Sequence, residues 1–295
     1  MLESRDFKII TDSTTDLTPK LVEELDVHVI PMEFIFGDEV YHNYPDAREM
    51  TSEEFFTRLK NGEMPKTNQI NTATFTETFE PYLEQGLDVL YIGFSSALSG
   101  TFMRAQEAIE ELQKKYPQQK ILAADTLAYS MGEGLLVYYA VQKKRSGASI
   151  EQVAAWVNNH RHFLSQYFTV DDLFHLKRGG RLSGAAALFG TMLGIKPILS
   201  SDADGHLIPV AKVRGRKASL DMLVKKMEET IQEPEEQTVF LVHSHTPEDA
   251  KYLVKQIKSA MKIGRIVVND LGPILGTHTG PGGTAIFYMG TNSNK

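Results

Sequence analysis

The chain has 295 residues, of which 42% are hydrophobic and 23% charged, with a formal net charge of −7 and no cysteine. That balance is enough for a substantial core, and the acidic excess repels nucleic-acid phosphates and anionic membranes as bulk partners. The absence of cysteine excludes disulfides, thiolate zinc sites and a cysteine nucleophile.

No apolar run approaches the ~18–20 residues of a spanning helix, so no transmembrane segment is expected. Met1–Phe7 lacks the long apolar region of a signal peptide, and a cytoplasmic location follows as an expectation. The first half alternates short apolar runs with amphipathic segments. Lys8–Thr11 predicts a strand, and Thr18-Pro19 predicts a helix start, with threonine as N-cap and proline at the first helical position. Val27–Phe36 predicts one extended stretch. Thr51 with Glu54, and Thr74 with Glu77, have the spacing of a capping box ahead of apolar residues. Val89–Phe94 predicts a buried strand, followed by a loop over Ser95–Gly100 and a helix from Thr101 to about Lys115. Ile121–Ala124 predicts another strand. A long helix follows from about Tyr129, and Ser149 with Gln152 starts one more.

The second half differs. Tyr167–Val170, Lys196–Ser200, Leu207–Val213, Val239–His243, Arg265–Asn269 and Ala285–Met289 predict strands, with helices at Leu182–Met192, Ala218–Ile231 and Pro247–Met261 between them. The expected fold class is therefore α/β, with two domains. Residues 1–165 would form a parallel-sheet βαβ domain, 166–290 a mixed-sheet α+β domain, and 291–295 a disordered tail.

Several segments have side chains suited to binding. In Gly93–Thr101 a strand ends, small hydroxyl residues fill a tight loop, and a helix begins. Helix N-termini offer free N–H groups to carboxylates and phosphates, although the same serines could simply cap the helix. The segment lacks the second glycine of a G-x-S-x-G elbow. Lys177–Arg181 places three cations around a glycine pair, expected just before a helix. They could grip an anion or an acidic partner, or form a solvated turn. Ala185–Ile198 mixes small and bulky apolar residues, as a core or a tunnel wall would. Thr277–Gly283 is expected as a glycine-rich loop carrying His278. There is no dinucleotide or P-loop signature and no H-E-x-x-H, and neither His243/His245 nor His160/His162 has carboxylates at metal spacing, so no metal or cofactor is expected.

These pieces, in this order, resemble the DegV family. Its D-S-T/S is matched by Asp12-Ser13-Thr14, and its T-S-Q-P loop by Thr67-Asn68-Gln69-Ile70. Its S-S-x-L-S-G-T is complete as Ser95–Thr101. D-T-x-x-x-S-x-G is matched by Asp125, Thr126, Ser130 and Gly132, and L-x-x-L-K-R-G-G-R by Leu173, Leu176 and Lys177–Arg181. K-V-R-G is matched by Lys212–Gly215 and H-x-G-P-G by His278–Gly282. The resemblance spans about 270 residues. The departures are Asn68 and Ile70 for serine and proline, which loosen the restraint on the loop holding Thr67.

The resemblance implies a fatty acid, such as palmitate or oleate, bound between two α/β domains by a carrier that is not itself an enzyme. It further implies that Thr67 and Ser99 hydrogen-bond the carboxylate, with Ser96 and Gly100 beside them and His278 in support. Arg178, with Lys177 and Arg181, would lie at the mouth or the partner contact. The implied partner is a fatty acid kinase that phosphorylates the carboxyl group for phospholipid synthesis.

Overall fold

The computed structural model describes residues 6–171, 173–182 and 194–291. β1 (Phe7–Asp12) runs through a 3-10 turn into α1 (Pro19–Leu25), which starts as predicted: the Thr18 hydroxyl accepts the Leu21 N–H at 3.2 Å. The stretch expected over Val27–Phe36 divides into β2 (His28–Ile30) and β3 (Met32–Phe36). Pro31 between them has no N–H to give a ladder, and the two pieces join different sheets. β2 pairs with β1 in parallel, whereas β3 pairs antiparallel with β4 (Glu39–Asn43) and with β5 (Lys66–Thr67), on either side of α2 (Ser52–Lys60).

α3 (Thr72–Glu84) begins ahead of Thr74 because Asn71 is its cap, its Oδ1 accepting the Thr74 N–H at 2.9 Å. β6 (Asp88–Gly93), α4 (Thr101–Lys115), β7 (Ile121–Asp125), α5 (Met131–Arg145) and α6 (Ile150–His160) follow. α6 carries the full Ser149/Gln152 capping box. α5 starts later than expected because Ser130 sits at φ 54°, outside the helical region. The parallel sheet has the order β2-β1-β6-β7, with α3 and α4 packed on one face and α5 and α6 on the other.

The second half supplies β8 (Leu164–Thr169), α7 (Phe174–Arg178), β9 (Ile195–Ser201), β10 (Leu207–Arg214), α8 (Arg216–Thr230), β11 (Thr238–His243), α9 (Pro247–Ala260), β12 (Arg265–Asp270), α10 (Pro273–Thr279) and β13 (Thr284–Met289). The strands form a mixed sheet of order β10-β9-β8-β13-β11-β12. This is the α/β class expected, with four parallel strands in the N-terminal part and a mixed sheet in the C-terminal part. The expected helix at Leu182–Met192 and the apolar run from Ala185 lie mostly outside the described residues, as does the tail beyond Thr291. No helix among the described residues is long and apolar enough to cross a membrane.

α8 and α9 cover one face of the mixed sheet, with Leu223, Met227 and Leu253 against Leu241 and Ile286. The other face rests on α5, so α5 is sandwiched between the two large sheets. Its first seven residues are all buried. Two glycines make room for it: a Cβ at Gly132 would lie 2.8 Å from the Phe287 ring of β13, and one at Gly134 would lie 2.9 Å from Leu17 and the Thr15 carbonyl.

Between those glycines Glu133 enters a buried polar cluster. Thr14 Oγ1 lies within hydrogen-bond distance of Asp12 Oδ1 and 2.7 Å from Glu133 Oε2. One hydroxyl proton can serve only one of them, so the other carboxyl is the acid form and donates to Thr14. Asp12 also receives the Tyr91 hydroxyl at 2.6 Å and the Thr14 N–H at 2.9 Å, which favours its charge. Thr11 Oγ1 lies 2.8 Å from the Ile92 carbonyl and 3.1 Å from Glu133 Oε1, and its single proton goes to the nearer carbonyl. Glu133 is therefore the acid. Burial, reinforced by the charge of Asp12, pushes its pKa well above the carboxylate range.

A group whose folded pKa is raised stabilises fully below its unfolded value and progressively loses that contribution as pH rises. For Glu133 the loss begins above about 4.5. Glu133→Gln keeps a donor for Thr14, so its stability should stay within about 1 kcal/mol of the parent at pH 6 and fall less steeply toward pH 8 in urea titrations. Glu133→Leu should cost about 1–3 kcal/mol by leaving the polar partners unsatisfied. An unchanged pH slope in Glu133→Gln would contradict the assignment.

Candidate functional site

A cavity of about 360 Å³ opens where the β6–α4 and β7–α5 loops, β5, α7, α10 and the α5-facing side of the mixed sheet converge. Its wall is mainly aliphatic and aromatic, including Leu98, Phe168, Leu176, Ile274, Leu275 and Phe287. That size and lining suit a small apolar ligand oriented by a few polar groups.

The polar groups cluster around Thr67, which β5 holds in register with Phe34 of β3. The residues departing from the T-S-Q-P pattern are tied down in other ways. Asn68 donates its N–H to the Glu33 carbonyl at 3.1 Å and its side chain to Glu33 Oε2 at 2.9 Å, and Ile70 is buried in the core. Thr67 Oγ1 lies 3.0 Å from His278 Nε2. His278 was expected in a loop. It lies instead in the last turn of α10, which starts at Pro273 and ends where Gly280 turns to φ +72°.

In the Lys177–Arg181 segment, Lys177 and Arg178 form the last turn of α7, and the helix expected after it lies outside the described residues. The Arg181 N–H bonds the Leu176 carbonyl and the Gly180 N–H bonds the Lys177 carbonyl, with Gly180 at φ +68°, which is a Schellman turn. Gly179 lets His278 in close, because a Cβ there would lie 2.4 Å from His278 Nδ1. The three cations diverge. Arg181 lines the cavity and donates to the Leu98 carbonyl at 3.1 Å. Arg178 is exposed and bridges the Pro65 and Thr277 carbonyls, while Lys177 is exposed outside the wall. Burial lowers the Arg181 pKa, yet a guanidinium remains charged, so one cation faces the polar end of the cavity.

Ser99 and Gly100 also reach the wall. Ser99 Oγ accepts the Thr101 N–H at 3.3 Å and lies 3.0 Å from Thr101 Oγ1, so it caps α4 while facing the cavity. A Cβ at Gly100 would lie 2.2 Å from Gln69 Oε1, so this glycine admits the Gln69 side chain, a wall residue the sequence did not single out. Ser96 is corrected: it is exposed and outside the wall, with its N–H on Asp125 Oδ1 at 3.3 Å. Thr14 and Ser130 are further wall residues missed as ligand groups, although both lie in the quoted motifs.

Burial, with Arg181, Arg178 and His175 nearby, drives the His278 pKa down to about 4. The ring is therefore neutral at ordinary pH. With Nε2 protonated it donates to Thr67 Oγ1 and leaves the threonine proton free to meet a ligand oxygen. His278 engages Thr67 and Ser99 engages Thr101, so these two are not paired with each other. Among the described residues, Asp202, Asp204 and His206 each bring one ligand atom within 4.8 Å of the others, as a metal ion would need. They are largely exposed, and Asp202 Oδ1 already accepts the Asp204 and His206 N–H groups.

Residues 6–291 match the family model described as an uncharacterised protein of the DegV family. The chain belongs to the DegV family. A DegV domain-containing protein from Clostridium perfringens is 43% identical over 284 residues, which is 96% of this chain and 97% of that protein. A solved DegV family protein from Thermus thermophilus, described by its fatty acid binding, is 29% identical with a TM-score of 0.85, covering 96% of this chain and 98% of that one. A DegV lipid-binding protein from Thermotoga maritima is 26% identical with a TM-score of 0.86, covering 97% and 99%. In histidine-labelled protein the His278 resonances should show no titration until the pH approaches 4. A midpoint at the ordinary 6.5 would refute the neutral, buried ring.

Proposed function

We propose that the protein binds a long-chain fatty acid non-covalently, with its carboxylate against Thr67, Ser99 and His278 and its alkyl chain along the apolar wall. The observation that carries this reading is the Thr67–His278 pair at one polar patch of an otherwise aliphatic and aromatic cavity. The fatty acid binding ascribed to the Thermus thermophilus relative supports it. Burial of methylenes yields about 0.8 kcal/mol each, so a palmitoyl chain supplies roughly 10 kcal/mol before ordering costs. The polar end then has mainly to orient the ligand. Arg181, which lines the cavity, adds a positive charge to these neutral donors.

The protein acts in this reading as a carrier and not as a catalyst, presenting the acid to a fatty acid kinase for phosphorylation toward phospholipid synthesis. The exposed Lys177 and Arg178 at α7 would meet the kinase. The hydrolase alternative, using Ser96 or Ser99 with His278, is disfavoured because neither serine is bonded to the histidine.

Lipid extracted from the purified, denatured protein is expected to contain about one fatty acid per chain by mass spectrometry. Thr67→Val and Ser99→Ala should each weaken palmitate binding by about 1–3 kcal/mol, or roughly 5- to 150-fold, in calorimetric titrations. Protein that carries no lipid and takes up neither palmitate nor oleate would overturn the proposal.

A further inference from the structure

The mixed sheet has two open edges, and they are finished differently. β10, at one end, carries Pro209 and a bulge between Pro209 and Ala211, and both obstruct a further strand. β12, at the other end, has neither. It pairs with β11 in unbroken register, and its middle, Ile266-Val267-Val268-Asn269, contains no charge and no proline. The N–H groups of Arg265 and Leu271 bond the Gln237 and His243 carbonyls at 3.0 and 2.9 Å. By alternation Ile266, Val268 and Asp270 turn theirs outward. No described residue accepts from these three, and Val268 is 39% exposed.

Beside this edge a groove of about 650 Å³ lies between the flank of α9 and β12. Its floor is Ala250, Val254 and Val268, and its rim is Lys251, Lys255 and Lys258, spaced along one side of the helix. No acidic residue lines it. Lys251 shares its charge with Glu248 at 2.7 Å, but Lys255 and Lys258 form no ion pair among the described residues. A row of cations over an apolar floor, on a chain of net charge −7, is complementary to an acidic partner.

We infer that this groove docks an extended acidic segment of another protein, which adds a strand to β12. The incoming main chain takes the outward N–H groups. Side chains on its groove face run their stems over Val254 and Val268 and carry carboxylates to Lys255 and Lys258. A second copy of this chain does not fit, because antiparallel pairing of two β12 strands about a two-fold axis brings the lysine rows of two α9 helices together. Strand addition at β12 does not require the fatty-acid reading, and either can fail without the other.

Calorimetric titration of the full chain with an end-blocked octapeptide alternating valine and glutamate tests it. The peptide is expected to bind about 10-fold or more tightly than its valine–lysine counterpart, less so as salt is raised, and to slow amide exchange at Ile266, Val268 and Asp270. Val268→Pro removes one outward N–H and leaves the ladder to β11 intact. Lys255→Glu combined with Lys258→Glu reverses the rim without touching the strand. Each variant should weaken the peptide by about 10-fold or more while palmitate uptake stays as in the parent. The lysine variant decides the matter if Val268→Pro fails to fold. An acidic peptide that binds no better than the lysine one, binding that survives in the lysine variant, or protection of amides elsewhere would overturn the inference. So would a dimer in sedimentation that protects these same three amides, since the occupant would then be a second copy.

Discussion

Everything in this structure depends on burying α5 on two sides at once. A helix that touches one sheet needs one apolar stripe, but a helix pressed between two sheets must be apolar or small all round. Gly132 and Gly134 thin it where the Phe287 ring and the Leu17–Thr15 segment come closest. The penalty glycine brings to a helix interior is about 1 kcal/mol each, and the packing on both faces offsets it. The carboxyl between them cannot escape to water, so it is held as an acid by Thr14. The loop leading into the helix holds Ser130 in a backbone conformation rare for a side chain, and its hydroxyl is bonded to Asp16 at 2.6 Å. Asp16 in turn receives the Gly272 N–H at the start of α10. The shared helix thus fixes both the distance between the sheets and the element that carries His278.

The cavity is what remains beyond the end of that helix, where the two sheets are bridged by loops and not by packed side chains. Its polar groups come from distant parts of the chain: Thr67 from a two-residue strand, Ser99 from the cap of α4, Arg181 from the far side of a Schellman turn and His278 from α10. Each is anchored by a partner of its own, so in the proposed reading a carboxylate would meet donors already in place and little ordering cost would remain. A neutral imidazole also spares the site the desolvation of a second cation beside Arg181.

Much of this was legible in the sequence. The alternation of strands and helices gave the parallel sheet, and Thr18-Pro19 and Ser149/Gln152 marked helix starts because capping is local chemistry. The Ser95–Thr101 loop was placed correctly between strand and helix for the same reason. The small sheet of β3, β4 and β5 was not legible. Two residues of strand carry no periodicity, and their pairing is made with a segment some thirty residues away. Pro31 divides an apolar run that pattern alone reads as continuous. The roles of Lys177, Arg178 and Arg181 were inseparable in sequence, since only the turn at Gly180 sends one inward and leaves the others outside. Ser96 and Ser99 belong to one motif, yet one faces solvent and the other the cavity, an outcome set by the geometry of the tight loop. The burial of Glu133 was likewise hidden, because a glutamate in a helix ordinarily marks its wet face.

One topological detail bears on how the molecule is made. β13 is the last of the described strands in the chain, yet it lies inside the mixed sheet, with β8 on one side and β11 on the other. Those neighbours are each bonded to β13 and not to each other, so the mixed sheet is continuous only through the last described strand. One C-terminal segment thus supplies both the strand that joins the two parts of the mixed sheet and, just before it, the histidine in the cavity wall.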